Sequence, residues 1–209
     1  MGLREEKKQA TRTAIADAAL GLFLEQGFDR VTVADVARVA RVSVNTVFNY
    51  FPTKEDLFFD RQEQVVQRLP AAIRDRADGE SAVAALRRAF LAELDREEAT
   101  LGLDPGMAGF WRVVEESAAL QARLRQMRDR TEAAIADTLR AQTGVDDAMP
   151  PIAAAMIAAV DSALHAAIRR RLLAGEDPDA VRAQVRAAAR VAFDALERGL
   201  GTYATKGAT

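Results

Sequence analysis

The chain has 209 residues, with 29 Lys or Arg against 31 Asp or Glu, a net charge of −2, 49% hydrophobic residues and no cysteine. This is the balance of an ordered, soluble globular chain rather than a disordered or membrane one, and the missing cysteines exclude disulfides and thiolate chemistry and fit a reducing cytoplasm. The charge is unevenly spread: residues 1–54 hold eight basic against six acidic residues, and from Arg30 to Lys54 the basic residues Arg30, Arg38, Arg41 and Lys54 meet one acid, Asp35, a local surplus suited to a polyanion.

The first thirteen residues, MGLREEKKQATRT, are charged and lack the apolar stretch of a signal peptide. Ile15, Ala18, Ala19, Leu22 and Phe23 then recur at helical spacing on one face. Gly27 predicts the stop, and Phe28 folds back on that face. Thr32 with Asp35 forms a capping box, and Val31 with Val36 a hydrophobic staple, for a short helix from Val33 to about Ala40. After a turn at Arg41 and Val42, Ser43 caps a second short helix that ends before Pro52. Thr53 and Asp56 form another capping box, opening a longer helix through Leu57, Phe58 and Val65 to a stop or kink near Pro70. Two short capped helices joined by a tight turn and flanked by longer ones predict a helix-turn-helix. In its second helix Val47 and Phe51 face inward, leaving Asn45, Thr46, Asn49 and Tyr50 outside for phosphates and base edges.

The stretch TVADVARVARVSVNTVFNYFPTKEDLF resembles the recognition region of TetR-family repressors, through Thr32, Ala37, Ala40, Val42-Ser43, Thr46, Tyr50-Phe51 and Lys54 in register. The match covers residues 10–60 closely. The resemblance implies an all-α fold, with an N-terminal three-helix helix-turn-helix DNA-binding domain (residues 1–54) and a larger helical effector-binding and dimerisation domain (55–209). It implies that Thr46 and Tyr50 hold backbone phosphates and that Lys54 reaches another from the start of the fourth helix. Val44, Asn45, Phe48 and Asn49 then lie nearest base edges, while Thr32, Arg41 and Ser43 complete the DNA-binding set. Lys7, Lys8 and Arg12 form an arm that adds electrostatic attraction. The chain departs from the family at Arg41, where Gly is usual in the turn, and at Asn45, where Gly or a basic residue is common.

Beyond residue 75 the chain is alanine-rich, with helices predicted near 80–98, 106–116, 118–142, 151–174 and 178–199. The breaks fall at Asp78-Gly79, Gly102 to Gly106, Gly144 to Pro151 and Gly175, with Asp177-Pro178 opening the last helix. Ala153 to Ala155, Ala158, Ala159, Ala163, Ala166, Ala187 to Ala189 and Ala192 permit close helix approach, and the family uses its last two helices as a four-helix homodimer interface. Two subunits would meet a near-palindromic double-stranded operator. Phe90, Met107, Phe110, Trp111, Glu115, Met127, Met156, Asp161 and His165 are the candidates for an effector pocket, bulky apolar groups with a few polar ones. The fourth helix is the expected lever between that pocket and the DNA. The longest apolar run, Ile152 to Val160, ends at Asp161 and falls short of the roughly 20 residues of a spanning helix, so no membrane partner and a cytoplasmic location are expected.

Catalysis is the competing class. One His and no Cys exclude thiol catalysis and His-rich metal sites, and no phosphate-cradling Gly loop or nucleophile elbow is present. Glu115 and Glu116 are adjacent on a helix and point apart. No cofactor or metal is expected. A third reading, a helical interaction protein with a decayed DNA-binding motif, would require Arg41 to spoil the turn.

Overall fold

Helix-capping side chains and left-handed turns divide this chain into a series of helices. The computed structural model describes residues 2–104, 106–144 and 148–206, so Pro105 and residues 145–147, where two expected breaks partly fall, lie outside the described residues. The described residues form α1 (Leu3–Gln26), α2 (Val33–Val39), α3 (Val44–Tyr50), α4 (Lys54–Phe58), α5 (Gln62–Arg74), α6 (Ala82–Asp95), α7 (Met107–Glu116), α8 (Ala118–Thr143), α9 (Met149–Leu173) and α10 (Pro178–Leu200), with a 3-10 turn at Ala99–Leu101. Among these residues there is no strand beyond an isolated Ser81–Thr205 bridge. The fold is all-α, as the periodicity predicts.

The helix starts follow their caps. Thr32 accepts from the Asp35 N–H at 3.2 Å while the Asp35 carboxylate accepts from the Thr32 N–H at 3.1 Å, and Thr53 with Asp56 repeats the box at 3.2 and 3.0 Å. Asp177 accepts from the Ala180 N–H at 3.0 Å, with Pro178 first in α10. Gly27, at φ 84°, closes α1 and donates to the Phe23 carbonyl.

The helix predicted from Thr53 to Pro70 is two helices. Helix α4 stops at Phe58, Phe59 leaves helical geometry at φ −99° and ψ 54°, and α5 restarts at Gln62 and runs through Pro70 to Arg74. At this break the rings of Phe58 and Phe59 are both buried, 5.1 Å apart and edge to face. The lever expected from this segment is therefore interrupted after five residues. Helix α6 also ends earlier than predicted, because Glu97 takes a left-handed φ of 53° and the Glu98 N–H returns to the Glu93 carbonyl.

The residues group into two compact units, Met1–Gln62 with Gly109–Leu124, and Glu63–Ala108 with Arg125–Thr209. The first unit thus runs past the expected 54/55 division and takes in a distant segment. It is built on an aromatic cluster: Phe23 lies 5.0 Å from Phe28 and 5.8 Å from Phe58, and Phe110 stacks on Phe58 at 4.4 Å.

In the second unit α10 packs on both α6 and α9, with the Phe90 ring 6.0 Å from Phe193 and 6.2 Å from His165. A charge cluster lies among these helices. Arg68 donates to Glu93 at 2.8 Å and to Asp161, and its side chain is only 11% exposed. Burial raises the pKa of Asp161, but the charges of Arg68 and His165 and the Arg68 hydrogen bond together outweigh it and hold the carboxyl below its ordinary value. A second guanidinium, Arg76, is buried and donates to the Ile73 and Glu80 carbonyls, to the Gln142 amide oxygen and to the Ala204 carbonyl, fastening the C-terminal residues.

By length and a mean hydropathy of 1.6, α9 is apolar enough to cross a membrane, a property the reading of Ile152–Val160 missed by stopping at Asp161. Its buried face, with Ala153, Ile157, Leu164 and Ile168, and its ion-paired Asp161 are equally those of a core helix.

Arg68→Ala leaves two carboxylates buried without their partner and is expected to cost about 3–5 kcal/mol in denaturant unfolding, whereas replacing Arg68, Glu93 and Asp161 together by apolar residues costs far less. Because the Asp161 pKa is lowered on folding, its contribution is complete above the ordinary carboxylate value of about 4 and is lost as pH falls below it. Equal losses for the single and triple variants would exclude a paired cluster.

Candidate nucleic-acid interface

The α2–α3 turn is held by backbone bonds at its first corner and side chains at its second. The Val42 N–H donates to the Ala37 carbonyl at 3.0 Å and the Arg41 N–H to the Arg38 carbonyl at 3.3 Å, the paired bonds that close a helix around a left-handed residue. That residue is Arg41, at φ 56°. The turn expected to favour Gly keeps its conformation with an arginine in place. Ser43 then caps α3, accepting from the Thr46 N–H at 3.0 Å, and the two hydroxyls lie 2.8 Å apart. At the start of α2, hydrogen bonds from the Thr32 hydroxyl and from Arg38 hold the Asp35 carboxyl at a pKa of about 2, so the box stays ionised in mild acid.

Helix α3 separates its faces cleanly. Val47 and, just beyond the helix, Phe51 are buried, while Asn45 and Asn49 are exposed and Thr46 and Tyr50 half-buried. Val44 and Phe48, one turn apart, are 38% and 47% exposed, unusual for large apolar groups on a polar helix face and suited to thymine methyls. The side chains of Thr32 and Ser43 are engaged in capping, and Arg41 is exposed.

Two of the expected basic residues make internal contacts in this structure. Lys54 turns inward: its ammonium donates to the Phe28 carbonyl at 2.9 Å and the Val31 carbonyl at 3.1 Å, and sits 4.2 Å from the Phe28 ring centroid. These oxygens face it because the chain between α1 and α2 turns there without helical partners of its own. Arg12 is likewise engaged, over the Phe51 ring at 4.7 Å and donating to the Asp60 carbonyl at 2.7 Å. The expected arm is no separate arm, since α1 is helical from Leu3 and carries Lys7 and Lys8 as exposed residues.

Behind the reading helices lie contacts that sequence reasoning missed. Asp56, besides capping α4, accepts from the Gln62 amide at 2.6 Å and from Arg123, whose Nε also donates to the Gln62 amide oxygen at 3.1 Å. Burial raises the Asp56 pKa, but hydrogen bonds from Gln62 and Thr53 and the Arg123 charge lower it further, so the carboxyl is held below its usual value. Ser117 donates to Asp29 at 2.9 Å. The sequence separations, 67 and 88 residues, leave no local pattern to find; the Thr53–Asp56 box was the one visible part.

The effector candidates do not form one group. Phe90, Asp161 and His165 lie together in the second unit, His165 Nδ1 being 2.9 Å from the Asp161 carbonyl oxygen and 3.5 Å from its carboxylate. Met127 is buried in the same unit and Met107 is half-buried. Phe110 belongs to the aromatic cluster of the first unit, with Trp111 edge-on to it at 5.1 Å; Glu115 is exposed. Met156 is exposed on α9. A depression of about 300 Å³ in the second unit is lined by Asp129, Glu132, Ala133, Ala136 and Pro151, none of them a candidate. Among the described residues no group of three His, Cys, Asp or Glu is placed to hold a metal ion.

Residues 15–60, from the apolar face of α1 to just beyond α4, match the family described as bacterial regulatory proteins, tetR family. The chain is 31% identical to the HTH-type transcriptional regulator TcmR of Streptomyces glaucescens over 148 residues, 69% of this chain and 66% of the relative. Residues 15–60 belong to the tetR family. A second match, to the HTH-type transcriptional regulator LuxR of Vibrio harveyi, is 42% identical over 64 residues, 31% of each protein. The aligned stretches thus span just under two thirds of TcmR and about a third of LuxR. The tetR fold extends through the rest of the chain: SmeT of Stenotrophomonas maltophilia, in its complex with triclosan, covers 91% of both chains at a TM-score of 0.59 and 19% identity. These relatives are transcriptional regulators, and the family is not an enzymatic one.

A left-handed conformation costs a non-glycine residue about 1–2 kcal/mol. Part of that cost returns as unfolded-state entropy when Gly is introduced, so Arg41→Gly is expected to stabilise the fold by up to about 1 kcal/mol and raise the melting temperature by about 2–4 °C. A lowered melting temperature would mean that the Arg41 side chain itself holds the turn.

Proposed function

We propose that this protein is a transcriptional repressor that binds a near-palindromic DNA operator as a homodimer and is released by a small-molecule effector. The observation that carries the reading is the outer face of α3: Val44, Asn45, Phe48 and Asn49 stand exposed on a helix capped at its start and anchored beneath by Val47 and Phe51. Asn side chains pair with adenine edges and apolar groups meet thymine methyls. Thr46, Tyr50 and Arg41 flank this face and are assigned to phosphates. The internal bonds of Lys54 assign it to holding the turn between α1 and α2. Repression is supported by SmeT, described as the repressor of a multidrug efflux pump, and effector release by its complex with triclosan.

Homodimerisation through α9 and α10 is supported by a continuous exposed strip of small and apolar residues. On α9 it runs through Ile152, Ala155, Met156, Ala159 and Ala163; on α10 through Ala187, Ala188, Val191 and Ala195. Gly199 of α10 faces the Met156 side chain, so the two strips adjoin. Val191 is 70% exposed, a cost that a second copy of the strip would remove. Two copies joined there would present two α3 helices to half-sites one DNA turn apart. An effector that binds one spacing of the reading heads better than the other would shift the population away from DNA, and Phe90, Asp161 and His165 are the residues assigned to it. A DNA-bound regulator of this kind works in the cytoplasm.

Selection from a random duplex pool is expected to enrich a near-palindrome, and the double variant Thr46→Ala, Tyr50→Ala to lose it. No enrichment by the wild type at any salt concentration would remove the DNA-binding reading. In sedimentation, Val191→Glu is expected to run as a single chain where the wild type runs as two, and to bind the selected operator more weakly; an unchanged sedimenting mass would place the dimer interface elsewhere.

A further inference from the structure

We infer that Arg123, near the start of α8, is a positioning residue for DNA reading: it fixes the reading head from behind, through Asp56, without touching DNA. This rests on the DNA-binding reading above.

The path can be followed atom by atom within the first unit. The Arg123 guanidinium donates to one oxygen of Asp56 and, through Nε, to Gln62 at 3.1 Å, while Gln62 donates to that same Asp56 oxygen at 2.6 Å. The other Asp56 oxygen accepts from the Thr53 N–H at 3.0 Å and the Thr53 hydroxyl at 2.8 Å. The next residue, Lys54, spans back to the carbonyls of Phe28 and Val31. Val31 directly precedes Thr32, the cap of α2. One carboxylate therefore joins α8 to the start of α4, and one ammonium joins that start to the chain entering the helix-turn-helix. A planar guanidinium sharing two acceptors fixes direction as well as distance. Asp56 is buried, so the bond is shielded from competing water and salt.

A second tie acts at another point of the same unit. Ser117, buried immediately before α8, donates to Asp29 in the loop between α1 and α2. Phe110 stacks on Phe58, at the end of α4. The segment Gly109–Leu124 thus grips the head at the α1–α2 loop, at the first turn of α4 and at its last residue. Two of these three grips are polar and can be released without opening the aromatic core. Helix α8 itself continues without a break from Ala118 to Thr143, whereas α4 is only five residues long. The positioning role therefore falls to the start of α8.

The test compares wild type with Arg123→Ala, Arg123→Lys and Ser117→Ala. Each is titrated with the selected operator duplex and with a scrambled duplex across a salt series, and each is monitored by hydrogen exchange at α2 to α4. Arg123→Ala is expected to weaken operator binding about tenfold, the order of one lost coupling. Binding to the scrambled duplex and the salt slope should be unchanged, exchange at α4 faster, and the Lys variant intermediate. Ser117→Ala should show a smaller loss of the same kind. A salt slope reduced by about one unit would make Arg123 a direct phosphate contact and overturn the inference. So would operator affinity and α4 exchange that stay at wild-type values in Arg123→Ala, or a fall in melting temperature and active fraction with the affinity of the folded fraction intact. If the wild type selects no operator, the DNA-binding reading fails, and unchanged α4 exchange in Arg123→Ala would separately show that Arg123 holds nothing.

Discussion

A helix of seven residues does not persist alone in water, because isolated helices shorter than about 12 residues lack the bonds to offset their nucleation cost. Helix α3 has seven, and the arrangement around it answers that constraint. Ser43 satisfies one of its free N–H groups, and Val47 and Phe51 anchor it from below. Phe51 in turn lies under the Arg12 guanidinium, and the aromatic cluster of Phe23, Phe28 and Phe58 provides the mass that short helices α2, α3 and α4 lack. The outer face of α3 carries no part of this load. Val44, Asn45, Phe48 and Asn49 can therefore vary at little cost in stability, the freedom that the base-reading role proposed for them requires.

Charge is used in the interior to orient rather than to stabilise. A buried ion pair recovers little more than the cost of drying its ions, yet Arg68 with Glu93 and Asp161, and Arg123 with Asp56, each join helices far apart in sequence. An apolar contact tolerates sliding by an ångström; a guanidinium holding two oxygens does not. Such bonds suit positions where helix registration must be kept. Asp56 shows the economy of this: one oxygen serves the capping box and the other receives Gln62 and Arg123.

How much of this was legible in the sequence depended on range. Caps and stops act within four residues, so Thr32–Asp35, Ser43, Thr53–Asp56, Gly27 and Asp177-Pro178 were all readable, as were the helices they bound. The left-handed conformation of Arg41 was readable as a tension, since the turn needs it and the residue resists it. The break at Phe59 was not, because its two adjacent rings pack against Phe110, about a quarter of the chain away. The internal bonds of Lys54 were out of reach for a related reason: the Phe28 and Val31 carbonyls that receive it are set by tertiary packing. Effector candidates were chosen by residue type alone, and type does not separate Phe110, in the aromatic cluster, from Phe90, beside His165.

The chain leaves apolar residues exposed in two different patterns, and the difference bears on what each meets. On α3 the exposed apolar groups are bulky and isolated between asparagines, a pattern fit for single methyl groups within a polar groove. On α9 and α10 they are contiguous and mostly small, with Ile152, Met156 and Val191 standing among alanines, a pattern fit for the close approach of another helix pair. A ligand pocket would show a third pattern, large apolar groups converging around a few polar ones; Phe90 and Phe193 with Asp161 and His165 come nearest to it. Their polar members are already bound to one another and to Arg68. An effector entering there would have to exchange those bonds for its own, so its affinity would depend on how well it replaces the partners of Asp161.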